Sequence, residues 1–359
     1  MKFLRDIVDK FKPTFSEGGK LSFLHSTFDA LETFLFVPNH TTHSGGHIRD
    51  GIDLKRTMFI VVIALIPALM FGMWNLGYQF HRATGMEVSL FENFWYGMIQ
   101  TLPIIIVSYG VGLGIEMAFA QFKGHPVNEG FLVTGLLIPM VMPADILLWM
   151  VGLATAFAVV IGKEVFGGTG MNLLNPALTA RMFLYIGYTP EMSGDKCWVP
   201  IADGVATMDG YSGATTLGNV GVASSNGTPW SDSLLSWGTS ISDSIMGTIP
   251  GSIAETSVIA ILLGAVILIV TGVGSWKIML STIIGALFMG GVLNLAGGNA
   301  WYDMPAWYHL VIGGFMFGTV FMTTDPVSAA QTERGKWIYG FFIGLLTVLI
   351  RVYNPGYPE

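Results

Sequence analysis

Residues 57–79, Thr-Met-Phe-Ile-Val-Val-Ile-Ala-Leu-Ile-Pro-Ala-Leu-Met-Phe-Gly-Met-Trp-Asn-Leu-Gly-Tyr-Gln, decide the fold class of this chain. The stretch contains no charged residue and exceeds the ~20 apolar residues that an α-helix needs to cross a bilayer. Eight more spans share this apolar character: 95–121, 130–143, 146–163, 174–188, 257–275, 278–297, 307–323 and 337–353. The sequence therefore predicts an all-α polytopic membrane protein.

The composition of the whole chain agrees with that class. Of its 359 residues, 52% are hydrophobic and 11% are charged, whereas soluble domains carry about 25% charged residues. The single cysteine, Cys197, excludes an internal disulfide and an iron–sulfur cluster held by this chain alone. No nucleic-acid-binding signature is visible, so the expected surroundings are membrane lipid and other proteins.

The basic residues predict the orientation of the chain. Eight of the 17 Lys and Arg residues precede residue 57, and cytoplasmic segments of membrane proteins are enriched in such residues. Residues 1–56 are therefore predicted to be a cytoplasmic segment. Five spans in residues 57–188 then place the loop 189–256, whose only basic residue is Lys196, in the periplasm.

A weak internal similarity predicts two repeats. Residues 131–140 and 310–319 are both mainly apolar, and each leads to an acidic residue near a proline, Asp145 and Asp325. Five spans precede the polar loop and four follow it, in residues 257–359. Because a repeat with an odd number of helices inverts its orientation, we expect two inverted five-helix repeats, the second incomplete because its last helix is absent from the chain.

The polar loop contains Asp209-Gly-Tyr-Ser-Gly-Ala-Thr215, which resembles the acceptor sequence of bacterial flavin transferases. Such enzymes join FMN to the last Thr through a phosphoester, so we expect an exposed Thr215 hydroxyl that a second enzyme can reach. Ser212, Gly213 and Ala214 are small and keep the backbone flexible, while Asp209 is suited to hold a local turn. The alternative is an ordinary loop, which the spacing of Asp209 and the periplasmic position disfavour.

A second motif, residues 164–175, combines glycines with two asparagines. Asn172 and Asn175 are three residues apart and are expected to share one face of a starting helix, and their amides suit the polar edge of an isoalloxazine ring. Gly167 and Gly168 allow a flat ligand to approach the backbone. The equally weighted alternative is a helix N-cap followed by ordinary packing.

Glu116 and Arg181 lie within apolar spans and Asp325 follows the span at 307–323, and these three residues are functional candidates because charges inside a membrane are costly. Glu116 and Asp325 have the oxygen ligands that hard cations prefer, so both are candidates for an ion path. The alternatives are an ion pair of Glu116 with Arg181 or a Lys, and a helix-terminal cap at Asp325. The three histidines of residues 40–47 have metal-like spacing, but without accompanying cysteines or carboxylates we interpret them as part of a polar loop.

Seven motifs together resemble the B subunit of the Na⁺-translocating NADH:quinone reductases, over nearly the whole chain. They lie at residues 53–58, 164–170, 172–178, 209–215, 249–253, 324–329 and 351–355. The D subunit of the Rnf ferredoxin:NAD oxidoreductase is a related protein that also has Ser-Gly-Ala-Thr. The long N-terminal segment and the Gly-Gly-Thr-Gly form of the glycine motif favour the quinone reductase.

The resemblance implies a fold similar to bacterial urea channels, with two inverted five-helix repeats. It implies covalent FMN on Thr215 and a non-covalent riboflavin near Asn172 and Asn175. Electrons would pass from a second covalent FMN on a partner protein of the complex, through both of these flavins, to ubiquinone. The family's quinone-linked glycines correspond to Gly112 or Gly114, and its Na⁺-linked acids to Glu116 and Asp325.

The same resemblance implies partners: an NADH-oxidising subunit with FAD and an iron–sulfur cluster, small membrane subunits, and a flavin transferase for maturation. The family pattern continues beyond the equivalent of Glu359 with a tenth helix, which this chain lacks. Two other interpretations stay open from the sequence. One is an Rnf-type subunit that serves ferredoxin and NAD, and the other is a solute channel of the urea-channel fold without flavin.

Overall fold

The computed structural model describes residues 2–15, 54–123, 130–194, 211–235 and 240–354, together with isolated positions between these ranges. Regular structure in this described part of the chain is helical. The α-helices are α1 Lys2–Phe15, α2 Leu54–Thr84, α3 Leu90–Lys123, α4 Phe131–Met140, α5 Leu148–Val160, α6 Pro176–Gly187, α7 Thr189–Met192, α8 Thr216–Asn226, α9 Trp230–Leu235, α10 Ile241–Met246, α11 Val258–Val270, α12 Trp276–Ala296, α13 Ala300–Asp303, α14 Tyr308–Val311, α15 Phe315–Phe317 and α16 Glu333–Tyr353.

Several of these helices have the length and composition of membrane spans. Five stretches qualify on both counts: Arg56–Thr84, Leu90–Lys123, Leu148–Phe166, Trp276–Ala296 and Glu333–Tyr353. Two more apolar helices, α4 and α11, are shorter. The prediction of an all-α polytopic membrane protein is confirmed, while the division into two inverted repeats stays a prediction.

Two of the predicted spans are broken, and the breaks position the site. The ten residues of α4 extend only about 15 Å at 1.5 Å per residue, and the helix ends directly after Pro139. The span expected at 307–323 is not one helix, because the chain turns at Gly313, whose φ of +67° favours glycine. Beyond that turn α15 continues as a π-helical segment, Gly318–Met322.

The backbone groups that these breaks release are bound by buried arginines. Arg181 donates from Nη1 to the carbonyl oxygen of Val141 at 2.9 Å, just after the end of α4. Arg351 donates from Nη1 to the carbonyl of His309 at 2.7 Å and from Nη2 to that of Ile312 at 3.3 Å. Unpaired carbonyls are costly away from water, so each arginine stabilises a helix end inside the protein.

The long helices pack closely through glycines. α2 packs against α3 and α11, α3 against α5, and α12 against α16. At Gly97 of α3 and Gly344 of α16, an added Cβ would overlap the backbone carbonyls of Met73 and Thr282. Small residues at such contacts let membrane helices approach each other's backbone, which explains the high glycine content of the chain.

Candidate functional site

Thr215 lies at the start of α8 and is buried. It is the N-cap of the helix: its Oγ1 accepts a hydrogen bond from the backbone N–H of Gly218 at 3.0 Å. The same hydroxyl donates to the carbonyl oxygen of Gly194 at 3.2 Å, and the residue is only 2% exposed. The expectation of an exposed Thr215 hydroxyl is therefore wrong for the unmodified chain.

A segment 21 residues earlier covers this hydroxyl. It includes Ser193, Gly194, Lys196 and Trp198, which we call the clasp. The Gly194 carbonyl also accepts the backbone N–H of Thr215 at 3.0 Å, and the fully buried Trp198 donates its backbone N–H to Gly213 at 2.9 Å. A Cβ on Gly194 would lie 2.9 Å from Thr215 Oγ1, so only glycine allows this close approach.

The clasp is anchored by an ion pair outside the membrane-spanning helices. Lys196 Nζ lies 2.9 Å from Asp145 Oδ2 and 3.2 Å from Glu191 Oε2. Burial raises the pKa of Asp145, and the charge of Lys196 opposes that rise. Asp145, which follows the break after α4, therefore links that break to the segment over Thr215.

The other residues of the 209–215 motif differ in their exposure. Ser212 is exposed, and its Oγ accepts the backbone N–H of Ala214 at 3.4 Å. Gly213 is buried with a φ of +61°, a conformation that favours glycine. Asp209 lies outside the described residues, as do the three histidines of residues 40–47.

Asn172 and Asn175 line a second part of the site, the asparagine cavity. Its wall also includes Lys163, Thr324 and Asp325. The interior volume is about 80 Å³, and the space between the walls out to the mouth is about 770 Å³. Since ligand pockets usually measure roughly 300–1,000 Å³, a flat ring of flavin size fits only if it also occupies the mouth.

The two asparagines do not share a helix face, contrary to expectation, because α6 begins after them at Pro176. Asn175 is the N-cap of α6: its Oδ1 accepts from the backbone N–H of Ala177 at 2.9 Å, and its Nδ2 donates to Asp325 Oδ2 at 3.4 Å. Asn172 donates from Nδ2 to the carbonyl of Leu174 at 3.0 Å. The N-cap alternative is thus confirmed for Asn175, which also faces the cavity.

The glycine motif bends the chain behind this cavity. Gly167 and Gly168 have φ values of +121° and +95°, in the region that favours glycine. The cavity wall itself is formed by the next two residues, Thr169 and Gly170. A role for Gly167 and Gly168 in ligand binding stays a prediction. Their positive φ values allow the bend of the loop.

Glu116 pairs with a lysine that sequence reasoning did not select, and Asp325 lines the same cavity as that lysine. Glu116 is 5% exposed and forms an ion pair through Oε1 with Nζ of Lys163, which is 3% exposed and lines the asparagine cavity. The alternative of an ion pair with a lysine is therefore confirmed for Glu116. Asp325 accepts from the backbone N–H of Val327 at 3.1 Å and from Ser328 Oγ at 2.9 Å, so it stabilises the turn that it begins.

Arg181 pairs with Glu255 rather than with Glu116. Its Nη1 lies 2.7 Å from Glu255 Oε2, and both residues are buried. They line a central cavity of about 480 Å³ that Asn175 also borders. Sequence reasoning missed Glu255 because it placed that residue at the end of the polar loop; the only available signal was its position next to the apolar span at 257.

The two glycines with an expected link to quinone differ in their surroundings. Gly112 is buried on α3, and an added Cβ would overlap the ring of Phe131 at the start of α4, whereas nothing lies within 4 Å of a Cβ on Gly114. Contact with quinone stays a prediction for both, and the geometry gives Gly112 a packing role.

Gly112→Ala is expected to destabilise the protein by about 1–3 kcal/mol, because overpacking displaces Phe131 and α4. Gly114→Ala on the same helix is the matched control and should unfold at or slightly above the wild-type temperature. Thermal unfolding of the detergent-solubilised variants checks both. Equal unfolding temperatures for the two alanine variants would contradict the packing role of Gly112.

Fold and site together define a polytopic α-helical membrane protein with broken helices around polar cavities. A family model described as "NQR2, RnfD, RnfE family" matches residues 41–359, and the chain belongs to this family.

Curated relatives carry a more specific name, that of the B subunit of the Na(+)-translocating NADH-quinone reductase. The relative from Chromohalobacter salexigens is 44% identical, with 99% of this chain and 89% of the relative aligned. The proteins of the same name from Ectopseudomonas mendocina and Pseudomonas aeruginosa are 42% and 39% identical, each with 99% of this chain and 91% of the relative aligned.

Proposed function

We propose that this chain is the flavin-bearing membrane subunit of a Na⁺-translocating NADH:quinone reductase of the bacterial inner membrane. In this proposal FMN is joined to Thr215 through a phosphoester, and a riboflavin lies at the asparagine cavity. Electrons arrive from a second covalent FMN on a partner protein and leave to ubiquinone, with Na⁺ export. The observation that carries the proposal is the Ser-Gly-Ala-Thr motif at a structured helix start, in a chain that aligns over 99% of its length with relatives of that name.

Attachment of FMN requires that the transferase reach the hydroxyl oxygen of Thr215. Thr215 Oγ1 attacks the phosphorus of FAD that is bonded to the riboflavin part. A new P–O bond forms while the pyrophosphate bond breaks and AMP leaves. A base of the transferase takes the hydroxyl proton. Because the clasp covers this oxygen, Gly194 must move away before the attack. The transferase therefore acts on the chain before the clasp closes or while it is open.

The chain's own groups around the asparagine cavity suit the second flavin. The amides of Asn172 and Asn175 both donate and accept hydrogen bonds, as the polar edge of an isoalloxazine ring requires. When bound, the flavins supply the electron-transfer chemistry, whereas the protein supplies position, burial and charge. Lys163 brings a buried positive charge to this cavity, and its ion pair with Glu116 connects the cavity to one of the two proposed Na⁺-linked acids.

The proposal is tested by producing the chain together with its flavin transferase and viewing a denaturing gel under ultraviolet light. The wild type should give a fluorescent band, and Thr215→Ala should give none. Thr216→Ala is the matched control, because Thr216 is an adjacent buried threonine, and its band should remain. No fluorescence in the wild type, with a transferase that labels another acceptor, would contradict the proposal and leave a flavin-free channel as the better interpretation.

The family description also includes Rnf proteins, so an Rnf-type subunit that serves ferredoxin and NAD is the second candidate. Both candidates carry flavin on the same threonine, and the gel does not separate them. Quinone extracted from the purified complex, and NADH oxidation that depends on added quinone, would favour the reductase. Reduction of NAD by ferredoxin would favour the second candidate.

A further inference from the structure

A narrow cleft opens beside Thr215, and residues 249–252 form one of its walls. They belong to the Ile-Pro-Gly-Ser-Ile loop at 249–253, to which the proposed function gives no role. The opposite wall is formed by Thr215 and the first turn of α8, and the Gly313-Gly314 turn closes the far side. The enclosed space of the cleft is only about 10 Å³, and the space between the walls out to the mouth is about 300 Å³, so a group of phosphoryl size fits only if it also occupies the mouth.

Ser252 contributes a hydroxyl that has no partner in the unmodified chain. The residue lines the cleft and is 3% exposed, and its Oγ is buried without a hydrogen bond. Buried hydroxyls almost always have a partner. The loop is also held in place, since the backbone N–H of Ile253 donates to Met142 at 3.1 Å and that of Ala254 to Met140 at 3.0 Å. Ser252 is therefore fixed in position with a free donor.

The opposite wall favours an anion. The eleven-residue helix α8 begins there, and the N–H groups of a first helical turn lack partners within the helix and attract negative charge. On the far side, a Cβ at Gly314 would lie 2.6 Å from Glu255 Oε1, and one at Gly313 would overlap Leu217. Because these two positions have no side chain, neither fills the cleft that Thr215 lines.

One charge in the cleft would oppose an anion. The carboxylate of Glu255 lines it, but Arg181 holds Oε2 of that carboxylate at 2.7 Å. The ion pair leaves this wall without net charge. Glu255 thus raises no large electrostatic barrier as long as Arg181 remains paired with it.

We propose that this cleft holds the phosphoryl group that links the flavin to Thr215, and that Ser252 donates a hydrogen bond to it. The assignment rests on the proposed function, because it requires the phosphoester. Esterification removes the hydroxyl hydrogen of Thr215 and so ends its donation to Gly194. The phosphoryl oxygens then accept hydrogen bonds from Ser252 and from the first turn of α8. Ser252 is a binding and positioning residue in this assignment.

The test compares Ser252→Ala with the wild type, each as the purified full chain produced with and without the flavin transferase. Without flavin, Ser252→Ala should unfold at the wild-type temperature or above, because it removes a hydroxyl that has no partner. With flavin, the same change should lower Tm by on the order of 3 °C, since a charge-assisted hydrogen bond is lost. The ³¹P resonance of the flavinylated variant should also differ from that of the wild type.

Ser244→Ala is the matched control. Ser244 is a fully buried serine that hydrogen-bonds the Tyr308 hydroxyl at 2.9 Å outside the cleft, so its replacement should lower Tm equally with and without flavin. An equal effect of Ser252→Ala in both forms, with an unchanged ³¹P resonance, would overturn the cleft assignment and leave the covalent flavin intact. Absence of covalent flavin from the wild type produced with transferase would overturn both proposals together.

Discussion

Replacing Arg181 with methionine should lower the free energy of unfolding by about 3–5 kcal/mol, the usual loss when one partner of a buried ion pair is removed. Glu255 would lose the guanidinium 2.7 Å away at a position that is 7% exposed. The Val141 carbonyl at the end of α4 would also lose its donor. Chemical or thermal unfolding of the purified variant in detergent measures the loss.

Two further variants show whether the loss comes from the uncompensated charge. The double variant Arg181→Met, Glu255→Gln should recover a large part of the stability, because it no longer buries a lone carboxylate. Lys277→Met breaks the exposed pair with Glu333 and should change stability little, as exposed ion pairs usually do. If Arg181→Met unfolds at the same temperature as Lys277→Met, the account of the broken helix α4 is wrong.

Lys163→Met is expected to have an effect of the same size, about 3–5 kcal/mol, because it breaks the buried ion pair with Glu116. Glu116 would lose its counter-ion in α3, where both side chains of the pair are 4% exposed. Because Lys163 also lines the asparagine cavity, we expect the variant to lose non-covalent flavin during gel filtration. The flavin released by denaturation, measured per chain, checks this second effect.

The two effects of Lys163→Met can be separated. Adding Glu116→Gln should restore stability, because the lone charge is gone, but it should not restore flavin retention if Lys163 faces the flavin. Lys336→Met is the matched control: this lysine pairs with Glu333 at 2.9 Å, and the Glu333 side chain is 63% exposed, so no buried carboxylate loses its partner. Recovery of both stability and flavin retention in the double variant would contradict a direct role of Lys163 at the cavity.

The positions of the membrane helices could be predicted well from the sequence, because a bilayer-spanning helix needs a long apolar stretch whatever it packs against. Each of the nine predicted spans contains helix in the described part of the chain. The prediction of one continuous helix at 307–323 was wrong, because hydropathy does not show that the chain turns at Gly313. Apolar composition identifies residues that avoid water, but it does not determine their backbone dihedral angles.

Local motifs select candidate site residues, but they do not give the contacts of those residues. Thr215 and Asn175 could be selected from local motifs, yet both turn out to be helix N-caps whose exposure depends on distant segments. The carbonyl that covers Thr215 belongs to Gly194, and the carboxylate that pairs with Arg181 lies 74 residues away at Glu255. Such long-range pairs follow from how the helices pack, and a single sequence contains no record of that packing.

The most direct test of the central claim is peptide mass spectrometry of the chain produced with its flavin transferase. The account predicts that the peptide containing Thr215 carries the mass of FMN in phosphoester linkage, and that fragmentation places this mass on Thr215 rather than on Ser212 or Thr216. An unmodified Thr215 peptide as the sole species, from a sample in which the transferase has labelled another acceptor protein, would contradict it.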